Sequence, residues 1–390
     1  MAGVSRNFWL AGALLAALAI AAAVLPSAQW ICGAAALLGL AGVVLLRGNP
    51  WRSGALLVAA VAVSLVLLDA FAGFLTPSPI GLGVVWREEP RDWTPSDPLL
   101  GYRPRPDTKV LATATYGTET IYDKVLYTIA ADGTRSTPPA PAGADTYLFL
   151  GDSFMFGQGL PDDQSLAAQF ARLNDFKVRA VNFSAPGYGP NHLVRAFETG
   201  LLDRYADQHV KAVVTWIIPS DLARITGDSS WLGSSPRYVL EGGILRHTGS
   251  FNEHRWHNPL AGLTYLASDQ FAFVRAIGMR QRQAAQADLF VALMVRLQAL
   301  AKEKFGAPLV VVCSWPDETA GPGRNEGDIG QPLLVAVLAR LRTLGIPLIS
   351  VDRLTNGYDV SRLLFPHEGH PTAFTNQRIA GELKQRLLPQ

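Results

Sequence analysis

YLFLGDSFMFGQG, residues 147–159, is the stretch on which the reading of this chain turns. Tyr147 to Leu150 is a short apolar run carrying two aromatic residues, and it stops abruptly at Gly-Asp-Ser. That pattern predicts a buried strand delivering Ser153 onto a tight turn. Gly151 permits a sharp change of direction, and Gly157 and Gly159 keep the next loop slim. A serine at the C-terminal end of a strand, ahead of a helix, lies where open α/β sheets bind their ligands. Two readings fit the stretch taken alone. Ser153 is a nucleophile, or the turn is an ordinary one in which Asp152 or Ser153 caps the helix.

Working outward, strand-like and helix-like runs alternate from Asp145 onward. Strands are expected at 147–150, 178–183, 211–218, 308–313 and 347–351, and helices at 164–173, 191–202, 333–344 and 373–387. A further long helical region reaches Phe305, with an apolar stripe from Leu289, Leu293, Val295, Leu297 and Leu300. An irregular insertion at about 222–259 holds a hairpin, 237–246, that turns at Gly242-Gly243. The alternation implies an α/β domain whose mostly parallel sheet is covered by helices on both faces. There is no internal repeat. Upstream, PPAPAG at 138–143 reads as a linker, 99–136 as a small β-rich segment, and 76–98 as a Pro- and charge-rich linker. The expected division is a membrane anchor at 1–75, linker and β-rich segment at 76–143, and the α/β domain at 144–390.

The anchor rests on three apolar stretches, 8–25, 30–46 and 53–75. The first two sit near the lower length limit for a spanning helix and the third exceeds it. A cleaved signal peptide fits poorly, because two more apolar segments follow at once and only Arg6 charges the start. Arg6, Arg47 and Arg52 flank one side of these stretches, while 26–29 is uncharged. The positive-inside rule then puts the N-terminus and the 47–52 turn in the cytoplasm, and everything after Leu75 outside it. Asp69, an ionisable group within a span, is a functional candidate by default. Its place near the outer end favours a side chain that reaches interfacial water. Gly33, Ala34, Ala35, Ala36, Gly39 and Gly42 suit close helix packing.

Composition narrows the classes further. Over 390 residues the net charge is +2, with no long basic run to engage nucleic acid. Mean hydropathy is +0.17, high for a soluble enzyme, with the excess concentrated in the first 75 residues. Cys32 and Cys313 lie in an apolar N-terminal segment and an expected buried strand, so neither a disulfide framework nor a zinc pattern is present.

Familiar catalytic signatures are missing: no Gly-x-Ser-x-Gly elbow, dinucleotide fingerprint, phosphate loop or His-Glu-x-x-His helix occurs. His367-Glu368-Gly369-His370 spaces its histidines three apart in a loop, which argues against a metal site, and no cofactor is expected. In a parallel sheet the loops after successive strands meet along one edge. Ser153 follows the first strand, Ser184–Gly189 (SAPGYG) the second, Pro219-Ser220-Asp221 the third, and His370 lies between the last strand and the final helix. A serine hydroxyl is barely ionised at neutral pH and needs an adjacent base. His370 can take that proton, and Glu368 is the nearest acid to orient its imidazole.

GDSF at Gly151, NFSAPGYG at Asn182 and HEGHP at His367 together resemble the SGNH (GDSL-type) hydrolase family, over roughly residues 145–390. The resemblance implies a flavodoxin-like sheet and ester-bond chemistry. It implies Ser153 as nucleophile, His370 as general base, and the backbone N–H groups of Ser153 and Gly187 as oxyanion donors. Two positions depart from the family pattern. Ser220 stands where an asparagine side chain completes the oxyanion hole, and losing one such donor costs about 3 kcal/mol of transition-state stabilisation if nothing replaces it. Glu368 stands in for an aspartate that usually lies a few residues before the histidine.

Other candidates have simpler accounts. His192 is expected to cap a helix or face solvent, and Asp221 with Arg224 to form a surface ion pair. Trp231, Tyr238 and Trp256 either stack on a sugar ring or pack against their own domain. The expected function is a serine acyl-ester hydrolase or acyltransferase in the cytoplasmic membrane, with its catalytic domain outside. Location and the aromatic insertion point to O-acetyl on a cell-surface glycan. The rival from another class is a non-catalytic glycan-binding or envelope-assembly module that keeps the fold, favoured by the Ser220 and Glu368 departures.

Overall fold

Alternation along the first strand sets the layering. Leu148 and Leu150 pack into one core, with Phe290, Leu293, Met294 and Leu297, and Tyr147 and Phe149 into another, with Phe170, Ile379 and Leu383. Successive side chains on a strand point to opposite faces, so a sheet buried on both sides reads as a continuous apolar run. In the computed structural model, residues 2–24, 28–46, 48–75, 83–227, 230–314 and 331–388 are described. They form two compact units, Met1–Pro77 with Asn258–Arg282, and Ser78–His257 with Gln283–Gln390.

The larger unit is built on five parallel strands: β1 (Thr146–Gly151), β2 (Arg179–Ser184), β3 (Val210–Ile217), β4 (Leu309–Cys313) and β5 (Leu348–Ser350). Their spatial order is β5-β4-β3-β1-β2. This is the flavodoxin-like arrangement, in which the order reverses beside the first strand and leaves a crevice at the strands' C-terminal ends. The expected strands lie within a residue or two of those found. The helices Leu166–Leu173 and Ala373–Leu387 cover one face, and Pro190–Glu198, Gln331–Thr343 and the end of Ala272–Phe305 the other.

Ahead of the sheet, Val84–Glu89, Thr108–Tyr116 and Glu119–Ile129 form an antiparallel three-stranded meander with its own core around Trp93, Val110, Ala112 and Tyr127. The first of these strands lies inside the stretch read from sequence as linker. Its charged residues Arg87, Glu88 and Glu89 hid a strand that pairs through its backbone. The chain then reaches the edge of the main sheet, where the Arg135 N–H donates to the Asn182 carbonyl on β2 (3.0 Å) and Thr137 Oγ1 to that of Ala180 (2.6 Å). These contacts cover part of an otherwise open strand edge. The expected hairpin is present as Pro236–Glu241 paired with Ile244–Ser250.

The smaller unit contains the helices Ala2–Val24, Ala28–Leu45 and Asn49–Leu75. A Cβ built on Gly39 would lie 2.9 Å from Ala55 O and Ala59 Cβ, and one on Gly42 2.9 Å from Ala55 Cβ. Small residues here let the two backbones approach closely. Arg6 donates to the Leu45 carbonyl (3.4 Å) and Arg52 to that of Leu46 (2.9 Å), so both cations sit at the C-terminal end of one helix. That is the end where positive charge is favoured and free carbonyls need donors. Among the described residues, Asn49–Phe71 is long and apolar enough to cross a membrane, while Arg6–Leu18 and Ile31–Leu45 are shorter apolar helices. Ala284–Phe305 passes the same test, but its Phe290, Leu293, Met294 and Leu297 are buried in the α/β core. Asp69, expected to reach interfacial water, is buried. Arg47 lies outside the described residues.

Candidate active site

The turn after β1 resolves the two readings of its serine. Asp152 is the cap: its Oδ1 accepts from the Phe154 N–H (2.9 Å) at the start of the short helix Ser153–Phe156. Ser153 is the first helical residue, and its hydroxyl lies 2.7 Å from Nε2 of His370. Asp152 therefore does the capping, which leaves the Ser153 hydroxyl to meet His370.

His370 reaches this position on the loop before the helix Ala373–Leu387. The loop is tied by a bridge between Leu364 and Pro371 and by the Phe365 N–H donating to the His370 carbonyl (2.9 Å). On the same loop, His367 takes a left-handed φ of 61°, stacks on Tyr116 at 4.0 Å and brings Nε2 within 3.4 Å of Glu119. Glu368 turns inward. Its Oε1 lies 2.6 Å from Nδ1 of His370, and its Oε2 accepts the His370 backbone N–H at 3.0 Å. The 2.6 Å approach is bent, short of a well-aligned N–H donor geometry. The longer side chain thus folds back on its own loop to serve the imidazole.

Two further side chains hold that carboxylate, neither of them singled out from sequence as a site residue. Trp86 Nε1 donates to Oε1 at 3.2 Å, Gln158 Nε2 at 3.5 Å, and the backbone of His370 completes the set. Burial acts to raise the Glu368 pKa, but the facing imidazole and these hydrogen bonds outweigh it and leave it below the ordinary value. Glu368 is therefore held as a carboxylate, the form that stabilises an imidazolium.

The loop after β2 brings Gly187 to the same edge of the sheet, since Ser184 is registered with Gly151 and the Ala185 N–H donates to the Gly151 carbonyl (3.2 Å). Gly187 has φ +86°, and a Cβ there would meet the Trp231 ring at 2.3 Å and Tyr102 Oη at 2.7 Å. Tyr102 Oη donates to the Pro186 carbonyl and Tyr188 Oη to that of Tyr102, each at 2.8 Å. Among the described residues, the N–H groups of Ser153 and Gly187 donate to no backbone or side-chain acceptor. Ser220 opens the helix Ser220–Arg224 at the end of β3 and is exposed, with no hydrogen bond to its hydroxyl among the described residues.

Asp221 and Arg224 are not a surface pair. Both are buried under the serine turn, where Arg224 Nη1 donates to Asp152 Oδ2 (2.7 Å), Asp221 Oδ1 (2.8 Å) and the Tyr188 carbonyl (3.0 Å). One guanidinium thus joins the loops after β1, β2 and β3. Burial, with the second carboxylate of Asp152 adding to it against the pull of Arg224, pushes Asp221 up to about 7. His192 does cap, its Nδ1 accepting from the Gly189 N–H at 3.0 Å, but it is buried against Tyr188 rather than exposed. Burial and nearby Arg224 bring its pKa down to about 3, so it is neutral. Of the three aromatic residues in the insertion, Tyr238 is buried and bonded to Glu198, Trp256 is on the surface, and Trp231 lies over Gly187, 52% exposed.

Arg135 is a second positioning device that sequence reading missed. Wholly buried, it donates to the carbonyls of Phe156 (2.6 Å), Gly157 (2.7 Å) and Leu160, and its Nε to Asp162 (3.3 Å). Its guanidinium also lies 4.6 Å from the ring centres of Tyr127 and Phe156. A lone arginine in a β-rich segment carries no sequence signal for this role.

Solved structures similar to this chain include a member of the lipolytic G-D-S-L family from Veillonella parvula, 11% identical with a TM-score of 0.35, covering 62% of this chain and 98% of that one. Another is an acetylxylan esterase from Geobacillus stearothermophilus, 12% identical, TM-score 0.33, with 65% and 98% covered. A third is a family 3 carbohydrate esterase from Clostridium thermocellum, 9% identical, TM-score 0.34, with 62% and 94% covered. No protein-family model matches the sequence, and no curated protein matches it. Ser153, Gly187 and His370, on which the sequence resemblance rests, lie in the loop after β1, the loop after β2 and the loop before the helix Ala373–Leu387, and Ser220 lies at the end of β3.

Proposed function

We propose that this chain is a membrane-anchored serine esterase or acyltransferase of the SGNH type, acting outside the cytoplasm. The observation that carries the proposal is the chain of contacts from Ser153 Oγ to His370 Nε2 (2.7 Å) and from His370 Nδ1 to Glu368 (2.6 Å). Ser153 attacks the acyl carbonyl while His370 takes its proton at Nε2. The N–H groups of Ser153 and Gly187 receive the negative charge that develops on the carbonyl oxygen. As the tetrahedral intermediate collapses, His370 returns the proton to the departing alcohol and an acyl-Ser153 ester remains. Water or an acceptor hydroxyl then attacks this ester, giving up its proton to His370, and as the acyl–Ser153 bond breaks His370 returns that proton to Ser153 Oγ. Glu368 keeps the imidazole oriented and balances its charge throughout.

The substrate we assign is an O-acetyl ester on a cell-surface glycan. Support comes from Trp231, an exposed aromatic face over Gly187, and the proposed location outside the cytoplasm agrees with it. That placement is supported by Arg6 and Arg52 at one end of the helical unit, which the positive-inside rule assigns to the cytoplasm. The fit of Glu368 to His370 removes one of the two grounds for a non-catalytic module. Ser153→Ala should abolish labelling by a fluorophosphonate probe in the full-length protein. Equal labelling of the variant would refute the assignment. Trp231→Ala should raise KM for acetylated glycosides more than for short aryl esters.

A further inference from the structure

The segment Asn258–Arg282 lies between two parts of the α/β unit in sequence, yet it belongs to the same compact unit as the three N-terminal helices. It opens with the helix Pro259–Gln270, capped by Asn258, whose Oδ1 accepts from the Ala261 N–H at 3.2 Å. From 258 to 274 the sequence holds a single charged residue, Asp269. Leu260 and Leu263 are spaced to share one face of this helix, and they are 74% and 65% exposed. Two leucines so exposed, three apart, in a stretch nearly free of charge, are unlike the rim of a water-soluble domain.

We propose that the helix Pro259–Gln270 is a second membrane contact, lying in the interface of the bilayer that holds the anchor. Continuity argues for lipid over a protein partner. In the same unit, the helix Asn49–Leu75 leaves Leu56, Leu57, Val61, Leu67 and Phe71 exposed, as a lipid-facing helix does. Twelve residues of helix extend about 18 Å, well short of the roughly 30 Å hydrocarbon core. The helix therefore lies along the surface rather than across it, with its two leucines inserted and its polar groups in the headgroup layer. The function is to tie the catalytic chain to the membrane at a point far in sequence from the anchor. The inference rests on the anchored reading given above.

The test uses full-length protein with both native cysteines replaced, Cys32→Ala and the buried Cys313→Val, reconstituted in vesicles of phosphatidylcholine and phosphatidylglycerol. Single cysteines replace Leu260, Leu263, Leu57 or Lys177, each carrying an environment-sensitive fluorophore, and lipids spin-labelled at shallow or deep positions serve as quenchers. Retained fluorophosphonate labelling of Ser153 verifies that each variant is folded. The expected result is blue-shifted emission at 260 and 263, quenched most by the shallow label, with position 177 unquenched. Quenching at 57 with 260 and 263 behaving like 177 would overturn this proposal and leave the anchor standing. No quenching at 57 would overturn the anchor and this proposal with it.

Discussion

Glu368 lies two residues before His370 and still places Oε1 2.6 Å from Nδ1 of that imidazole, while Oε2 accepts the histidine's own N–H at 3.0 Å. A carboxylate held to the histidine at both its ring and its backbone is placed to orient the imidazole, and this can be tested. Glu368→Gln keeps the shape and removes the charge. It should lower kcat for a short-chain aryl ester by on the order of a thousandfold or more, with a much smaller change in KM. Glu368→Asp should recover part of that loss. Because the folded-state pKa is lowered, the carboxylate's contribution to stability is present above its ordinary value of 4.5 and is lost as pH falls.

Gly187 cannot be exchanged for alanine. Its φ of +86° strains any L side chain, and the added Cβ would strike Trp231 at 2.3 Å. The Gly187→Ala protein should fold but lose about a hundredfold in kcat, the scale of one displaced oxyanion donor. Wild-type turnover in that variant would remove Gly187 from the site.

Arg135 binds three carbonyls of the loop that follows the serine, and it does so from a fully buried position. Arg135→Met takes a donor from the carbonyls of Phe156 and Leu160, while Gly157 and Asp162 keep the N–H groups of Leu160 and Thr128, and should destabilise the protein by about 2–4 kcal/mol. Arg135→Lys should recover little, since an ammonium cannot fork between several acceptors. Chemical denaturation, with the rate of fluorophosphonate labelling at Ser153 as a second readout, checks both.

Asp221 supplies a pH signature. Its folded-state value of about 7 lies above the ordinary 3.8, so between those values the native state holds a proton that the unfolded state has released. Stability from this group therefore falls as pH rises through that window and levels off above it. Thermal melts of wild type and Asp221→Asn at a series of pH values should show the difference between them shifting in favour of the variant from about pH 5 to about pH 7. A difference independent of pH would show that Asp221 does not titrate there.

Much of the α/β unit was legible because its signals are local. A buried strand is written in its own four residues, and Gly151-Asp152-Ser153 marks its end whatever lies elsewhere. The strand ends at Ser153, Gly187 and His370 could be aligned because parallel sheets impose that convergence. Burial was less legible. Asp221, Arg224 and His192 read as surface groups because each is polar, and a polar side chain is buried only when partners from other loops satisfy it. The strand Val84–Glu89 was hidden for a related reason: Arg87 and Glu89 are exposed and Glu88 meets Trp93 Nε1 from another loop, while the backbone pairs with Thr108–Tyr116.

By itself, then, the sequence determined the alternating architecture, the strong apolar helices at the N-terminus, and the serine and histidine of the candidate site. Short-range patterns specify these, and each survives being read a dozen residues at a time. Only the tertiary structure decided what supports the site. Trp86 reaches Glu368 across 282 positions of sequence, and the loop holding Ser153 is braced by Arg135 from before the first sheet strand. It also decided that Asn258–Arg282 joins the N-terminal helices. Long-range contacts of this kind depend on which surfaces meet after the sheet has formed, and no local run of residues encodes that meeting.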